Sequence, residues 1–287
     1  MGRRLLSHLL ITLAVFSLTA TFFIWVIDAT ILNPNRLTKA LQEGGVPSAI
    51  ASVIPEKASQ DSENKDDVAD MKTKIAAVVT PDYVHQKMSA LAVTMSDFIK
   101  KGNPQPVIDV SDFPAKLRAS GVEVGDDIDK NFADPIQLNK DGALDTLPQT
   151  YKTFKLVKIA GVVLFLLLLL AEWFVAAKGD KLHRIGRIFL HAAIWYTIYW
   201  LALVFVPARA LPALKEKAGV TGAENTLIDA FVKSIQHLFG VYLLGFAIVC
   251  GVLALVLYLA RHGRKHVQAI QAVPDTKNKP KTVPNKR

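Results

Sequence analysis

The sequence contains one cysteine, Cys250, and this residue lies inside an apolar run. A disulfide within the chain and a zinc site built from cysteines are therefore both excluded. The chain also has no Asn-x-Ser/Thr site and none of the HExxH, GxSxG, Walker A, GxGxxG or CxxC motifs. We therefore expect a protein that is not an enzyme and carries no cofactor. An enzyme working through a carboxylate pair is the alternative that these absences leave open.

Acidic residues are fewer than basic ones, 25 against 34, which gives a formal net charge of +9. Hydrophobic residues make up 51% of the chain, which is high for a soluble protein. The basic residues lie mostly beside the apolar runs and in the C-terminal tail. This distribution is typical of membrane topology and does not favour nucleic acid as a partner.

Long apolar runs organise the chain, and the clearest two are Ile159–Ala177 and Ile188–Val206, on either side of a short basic turn. Each would form a helix of about 28 Å at ~1.5 Å per residue, close to the thickness of the hydrocarbon core of a bilayer. Leu5–Ile27 and Phe239–Ala260 are similar runs. The first is longer than the apolar part of a signal peptide, so we expect it to remain as a membrane span rather than to be cleaved.

The pattern therefore predicts an all-α integral membrane protein with four transmembrane helices and a mainly helical extracytoplasmic domain between helices 1 and 2. The predicted segments are as follows: the N-terminus and helix 1 (1–28), the extracytoplasmic domain (29–150), helix 2 with an amphipathic lead-in (151–178), a basic turn (179–187), helix 3 (188–206), a second outer segment (207–238), helix 4 (239–260) and a basic disordered tail (261–287).

The basic residues also predict the orientation. They crowd three places, and the positive-inside rule puts all three in the cytoplasm. These are the N-terminus with Arg3 and Arg4, the turn with Lys178, Lys181, Arg184 and Arg187, and the start of the tail with Arg261, Arg264 and Lys265. We expect a multi-pass protein of the plasma membrane with both termini in the cytoplasm and segments 29–150 and 207–238 outside.

Segment 29–150 shows clear helix signals. Asn33 and Pro34 begin one helix, which ends at the glycines Gly44 and Gly45. The clearest helix is Thr80–Lys101, with a threonine N-cap and proline at its first position. Its apolar stripe consists of Val84, Met88, Leu91, Met95 and Phe98. We interpret the stripe as packing against neighbouring helices, with a groove for a partner as the alternative.

Ionisable side chains inside the spans are few, and Glu172 and His191 are the most suggestive. They lie at similar depths on either side of the basic turn, and Trp195 and Tyr199 follow His191 on one helix face. We interpret this intramembrane polar cluster as a Glu172–His191 hydrogen bond with aromatic packing. A proton relay, or a polar pocket for a ligand or lipid headgroup, is the alternative.

Two further groups are weaker candidates. Asp127, Asp129, Asn131 and Asp134 resemble the early ligands of a calcium loop. Phe132 and Leu138 stand where that loop needs glycine and glutamate, which favours a solvated acidic loop over a metal site. Lys152, Lys155 and Lys158 recur at three-residue steps. They are expected to extend toward water, with contacts to lipid headgroups as the alternative.

The sequence as a whole favours a non-enzymatic membrane or envelope protein whose outer domain binds a protein or a surface polymer. The alternative is a small transporter, channel or membrane sensor that uses the Glu172/His191 face of helices 2 and 3. Partners are then the lipid bilayer and an unknown protein or envelope polymer. The chain could also form a homo-oligomer, which would allow several copies to build a pore.

Overall fold

The computed structural model describes residues 2–60, 65–122, 132–177, 180–219 and 222–271. Over these ranges the chain is almost entirely helical. Its elements are α1 (Gly2–Ala29), α2 (Pro34–Gly44), α3 (Val46–Gln60), α4 (Lys65–Val78), α5 (Pro81–Lys101), β1 (Val107–Ile108), α6 (Phe113–Ala119), β2 (Ile136–Gln137), α7 (Leu147–Val175), α8 (Lys181–Lys217) and α9 (Ala223–Gln271). The two short strands pair antiparallel. The prediction of an all-α chain is confirmed.

Four helices, α1, α7, α8 and α9, are long and apolar enough to cross a membrane. The predicted number of spanning helices is therefore confirmed. Helix α1 packs against α7 and α8, and α8 runs along α9. The core that α1, α8 and α9 share contains the edge-to-face pair Phe22 and Tyr196, with ring centroids 4.7 Å apart, and the buried Cys250.

Helix α7 lies at the periphery of this bundle. It buries only Leu168 and Glu172 among its described residues, and long apolar side chains such as Leu164 and Leu167 are about half exposed. A surface of that kind would be unstable against water, whereas lipid chains solvate it. The exposed apolar face of α7 is what a helix surrounded by lipid requires.

Two boundaries differ from those predicted. Pro207 and Pro212 lie inside α8, which continues to Lys217. Proline removes one backbone hydrogen bond, but the rest of a long helix can tolerate that loss. Helix α9 likewise continues to Gln271, past the predicted end of the fourth span at residue 260. The predicted outer segment 207–238 is therefore mostly the extended ends of α8 and α9.

The helices of segment 29–150 have the predicted caps. The side chain of Asn33 accepts a hydrogen bond from the backbone N–H of Arg36, and α2 ends at Gly45 with φ of 86°. The side chain of Thr80 accepts from the N–H of Tyr83, and α5 ends at Gly102 with φ of 85°. Both glycines adopt the left-handed conformation, which glycine reaches more easily than residues with a Cβ atom.

The segment packs on the first part of α9. Val46 and Ala49 of α3 form a buried cluster with Ala230 of α9. Gly44 brings α2 so close to α9 that a Cβ atom there would overlap the hydroxyl of Ser234. The membrane-spanning bundle and segment 29–150 are thus in direct contact.

Candidate functional site

The ionisable residue Glu172 is fully buried in α7. One carboxylate oxygen accepts a hydrogen bond from the Ser7 hydroxyl over 2.6 Å and lies 3.2 Å from the guanidinium of Arg184. A buried carboxylate needs a cation or several donors, because charge is poorly solvated away from water. Glu172 therefore joins α1, α7 and α8.

His191 is not among these partners. Its Nδ1 lies 2.7 Å from the backbone carbonyl of Arg187, so that nitrogen carries the proton when the ring is neutral. The hydrogen bond predicted between Glu172 and His191 is absent from the described part of the chain. Equal depth in a membrane does not fix the direction in which a helical side chain points, because that depends on the rotation of each helix.

His191, Trp195 and Tyr199 do share one face, as predicted. The rings of Trp195 and Tyr199 stack with centroids 5.9 Å apart. Together with Ile11, Val15 and Phe16 of α1 they line a cavity of about 580 Å³, which we call the α1–α8 groove. The four predicted cluster residues are therefore in two places. Glu172 contacts Ser7 and Arg184, whereas His191, Trp195 and Tyr199 line the groove.

A second cavity of about 430 Å³ lies beside the groove, where α1, α8 and α9 meet. It is lined by Ser7, His8, Ile11, Asp180, His183, Arg184, Arg187 and Arg261, and we call it the basic pocket. Arg261 donates to Asp180 over 2.7 Å. The sequence marked the arginines only as topology signals. Their convergence in one pocket was not predicted, because it depends on how distant helices pack.

The lysine stripe is not uniform. Lys158 forms an ion pair with Asp28 over 2.8 Å, and the hydroxyl of Tyr151 donates to the same carboxylate. Lys152 and Lys155 are exposed, and contacts between them and lipid headgroups remain a prediction from the sequence. Only Lys158 is therefore bound to another helix, where it fastens α7 to α1.

The calcium candidates Asp127, Asp129 and Asn131 lie outside the described residues, while Asp134 is described and exposed. Across the ranges that the structure does describe, no group of three or more His, Cys, Asp or Glu side chains is placed to hold a metal ion. The loop hypothesis therefore remains a prediction from the sequence.

Segment 29–150 contains a third cavity, of about 340 Å³, which we call the apolar pocket. Its walls come from α3, α5, β1 and α6, with residues such as Ile50, Ile54, Val84, Met88, Leu91 and Phe113. The predicted stripe of α5 is only partly packed: Val84 and Phe98 are buried, whereas Met88, Leu91 and Met95 are half-buried. The stripe therefore packs on neighbours and also lines a cavity.

A polar cluster lies beside the apolar pocket. Asp112 accepts hydrogen bonds from the Tyr83 hydroxyl and pairs with Lys87 over 2.7 Å and Lys116 over 3.1 Å. Burial alone would raise the pKa of Asp112, but the hydrogen bonds from both lysines outweigh it and lower that pKa to about 2. Burial and the same carboxylate raise the pKa of Tyr83. The cluster holds α5 against α6. In it, two ammonium groups pair with one carboxylate.

Comparison of the chain with protein-family models, with characterised proteins and with solved structures gives no match. The fold defines an all-helical protein with four helices suited to crossing a membrane. The α1–α8 groove, the basic pocket and the apolar pocket are the cavities from which a function can be argued.

Proposed function

We propose that this chain is a non-enzymatic protein of the plasma membrane whose segment 29–150 lies outside the cytoplasm and binds a partner protein. The observation that carries the proposal is the apolar pocket, which opens on the surface of that segment. A surface polymer is the less suitable partner, since its polar groups would lose hydrogen bonds to water against apolar walls.

The chemistry of the pocket suits a protein anchor. Interfaces draw most of their energy from a few apolar or aromatic side chains that enter a pocket, surrounded by polar contacts. Ile54 and Leu91 provide apolar walls, and Lys87 lines the same pocket while its ammonium group contacts Asp112. Burying about 100 Å² of apolar surface there would contribute roughly 2.5 kcal/mol. A partner protein that inserts an apolar side chain and carries an acidic side chain next to it would match this arrangement.

The arrangement of charge supports the proposed orientation. Arg184 and Arg187 of α8 and Arg261 of α9 line one pocket together with Ser7 of α1. The basic flanks of three spanning helices therefore lie at the same end of the bundle, and such flanks are usually cytoplasmic. Segment 29–150 follows the opposite end of α1, at Ala29. This geometry favours cytoplasmic termini and an outer position for the segment.

A photo-crosslinking amino acid at Met88, inside the pocket, tests the binding function in intact cells. We expect a protein adduct of defined mass, and we expect it to be lost when Ile54 on the opposite wall is changed to Gln. Ala90 is the matched control, because it is exposed on the same helix and does not line the pocket. Adducts that form equally at Ala90, or persist in Ile54→Gln, would contradict the proposal. A heterogeneous glycan smear would indicate a polymer.

A small transporter, channel or membrane sensor is the second candidate function. The observation that favours it is the buried carboxylate of Glu172 inside a spanning helix, since such groups often serve ion or proton pathways. Glu172→Gln separates the two functions. A binding protein that remains folded should keep the Met88 adduct, whereas a transporter should lose transport in the same variant.

A further inference from the structure

The basic pocket and the α1–α8 groove are neighbours in one continuous surface. His8, Ile11 and Arg187 line both of them. One cavity is rich in cations and the other in apolar side chains. A ligand that occupied both would therefore need a charged end and a hydrocarbon end.

The charges of the basic pocket favour an anionic end. Arg184 is paired with Glu172, and Arg261 is paired with Asp180. Arg187 is exposed and has no ion pair within the described part of the chain, so one of the pocket's three guanidinium groups is not neutralised. An anion in the pocket would gain a charge-assisted hydrogen bond from it.

Arg261 is a further cation that lines the pocket. It is paired with Asp180, and its buried Nε has no hydrogen-bond partner among the described residues. An anionic group in the pocket would therefore lie among three guanidinium groups, of which Arg187 carries the charge that no ion pair in the described part of the chain neutralises.

The groove suits a hydrocarbon chain. Val15 and Phe16 of α1 face the stacked rings of Trp195 and Tyr199 on α8 across a cavity of about 580 Å³. Aromatic side chains of this kind are common where lipid chains meet their headgroups. The groove lies between two helices that are apolar enough to be surrounded by lipid.

We propose that the two cavities together bind one anionic phospholipid, with its phosphate in the basic pocket and an acyl chain in the α1–α8 groove. Basic pockets between spanning helices are suitable sites for anionic headgroups. A free phosphate would use the basic pocket alone and would leave the groove without a role. The bound lipid would hold α1 against α8, since each helix lines both cavities.

Quenching of tryptophan fluorescence by brominated acyl chains tests this proposal on the full-length protein in detergent. The probes are phosphatidylglycerol and phosphatidylcholine with the same brominated chains. We expect half-maximal quenching by phosphatidylglycerol at a concentration at least tenfold lower than by phosphatidylcholine. The saturable part of the signal should disappear in Trp195→Phe, because that indole lines the groove.

Variants connect the preference to the basic pocket. Arg187→Gln should reduce the tenfold preference for phosphatidylglycerol to less than about threefold. Lys155→Gln is the matched control, since it removes an exposed cation that lines neither cavity, and it should change nothing. His8→Gln is a second variant at the junction of the two cavities. Circular dichroism and elution volume verify that each variant is folded.

Several outcomes would overturn the proposal. Equal quenching of the wild-type protein by the two lipids would remove the anionic headgroup from it, whatever the variants do. A full preference retained in both Arg187→Gln and His8→Gln would move the site elsewhere. Competition by millimolar inorganic phosphate at the strength of the lipid itself would assign the pocket to a free phosphate.

Discussion

The hydroxyl of Ser7 donates a hydrogen bond of 2.6 Å to the carboxylate of Glu172, which lies 165 positions later in the chain. Arg184 approaches the same oxygen to 3.2 Å. Three spanning helices therefore meet at one buried charge. Because Glu172 is fully buried and the Arg184 side chain is only 19% exposed, separating the two groups would leave the carboxylate without its cation away from water.

The Glu172–Arg184 pair should be energetically coupled. We expect Glu172→Gln to destabilise the folded protein in detergent by about 2 kcal/mol, because Arg184 loses a charged acceptor. A double-mutant cycle with Arg184→Gln should show a coupling of about 1 kcal/mol or more, measured from unfolding in a denaturing detergent.

His191 supplies the control for that cycle. It faces the α1–α8 groove and makes no hydrogen bond to Glu172 in the described structure. The cycle of Glu172→Gln with His191→Gln should therefore give a coupling near zero. Strong coupling to His191 together with none to Arg184 would contradict the arrangement of α7 and α8.

The ion pair between Lys158 and Asp28 should also be measurable. Both side chains are about three-quarters buried, so screening by water weakens the pair without removing it. We expect Lys158→Gln to cost roughly 0.5–1 kcal/mol in thermal unfolding. Lys155 lies one helical turn away on the exposed face. Lys155→Gln should therefore leave the melting temperature unchanged. Equal melting temperatures for the two variants would show that the ion pair does not stabilise the helix contact.

Caps and spans could be predicted from the sequence, because both depend on neighbouring residues. Asn33 and Thr80 precede prolines at the first helical position, and the sequence places glycines at the far ends of the same helices. The four spans follow from the length of their apolar runs. Signals of this kind require no knowledge of distant contacts.

The partners of Glu172 could not be predicted in the same way. Ser7 and Arg184 reach it only because α1 and α8 adopt particular rotations against α7. The apolar stripe of α5 was equally ambiguous, since packed helices and groove walls share one periodicity. The end of helix 3 was predicted too early, at residue 206, for another reason: Pro207 weakens α8 locally, while the remaining backbone hydrogen bonds preserve the helix.

Gly161 determines how closely α7 can approach α1. A Cβ atom at this position would overlap the hydroxyl of Thr21, whereas the same atom at Gly251 would meet nothing within 4 Å. Gly161→Ala should therefore lower the melting temperature in detergent by several degrees, since the Thr21 side chain must change rotamer or the two helices must separate. Gly251→Ala is the matched control and should be neutral. Identical melting temperatures would indicate that the helices are not in close contact there.

Asp112 should make the stability of segment 29–150 depend on pH. Its pKa in the folded protein, about 2, lies below the ordinary aspartate value. Its contribution is therefore complete above the unfolded pKa of about 4 and is lost as pH falls toward 2. We expect the difference in melting temperature between the wild-type protein and Asp112→Asn to be constant above pH 5 and to vanish near pH 2. A difference that does not change over this range would exclude the ion-paired carboxylate.

The orientation decides which compartment supplies the partner, so labelling from outside intact cells is the most direct test of the account. Single cysteines at Lys72, Lys217 and Thr276, on a Cys250→Ala background, report segment 29–150, the end of α8 and the tail. We predict that a membrane-impermeant maleimide labels Lys72→Cys and Lys217→Cys in intact cells and labels Thr276→Cys only after permeabilisation. Labelling of Thr276→Cys alone in intact cells would invert the protein and contradict the proposed outer binding domain.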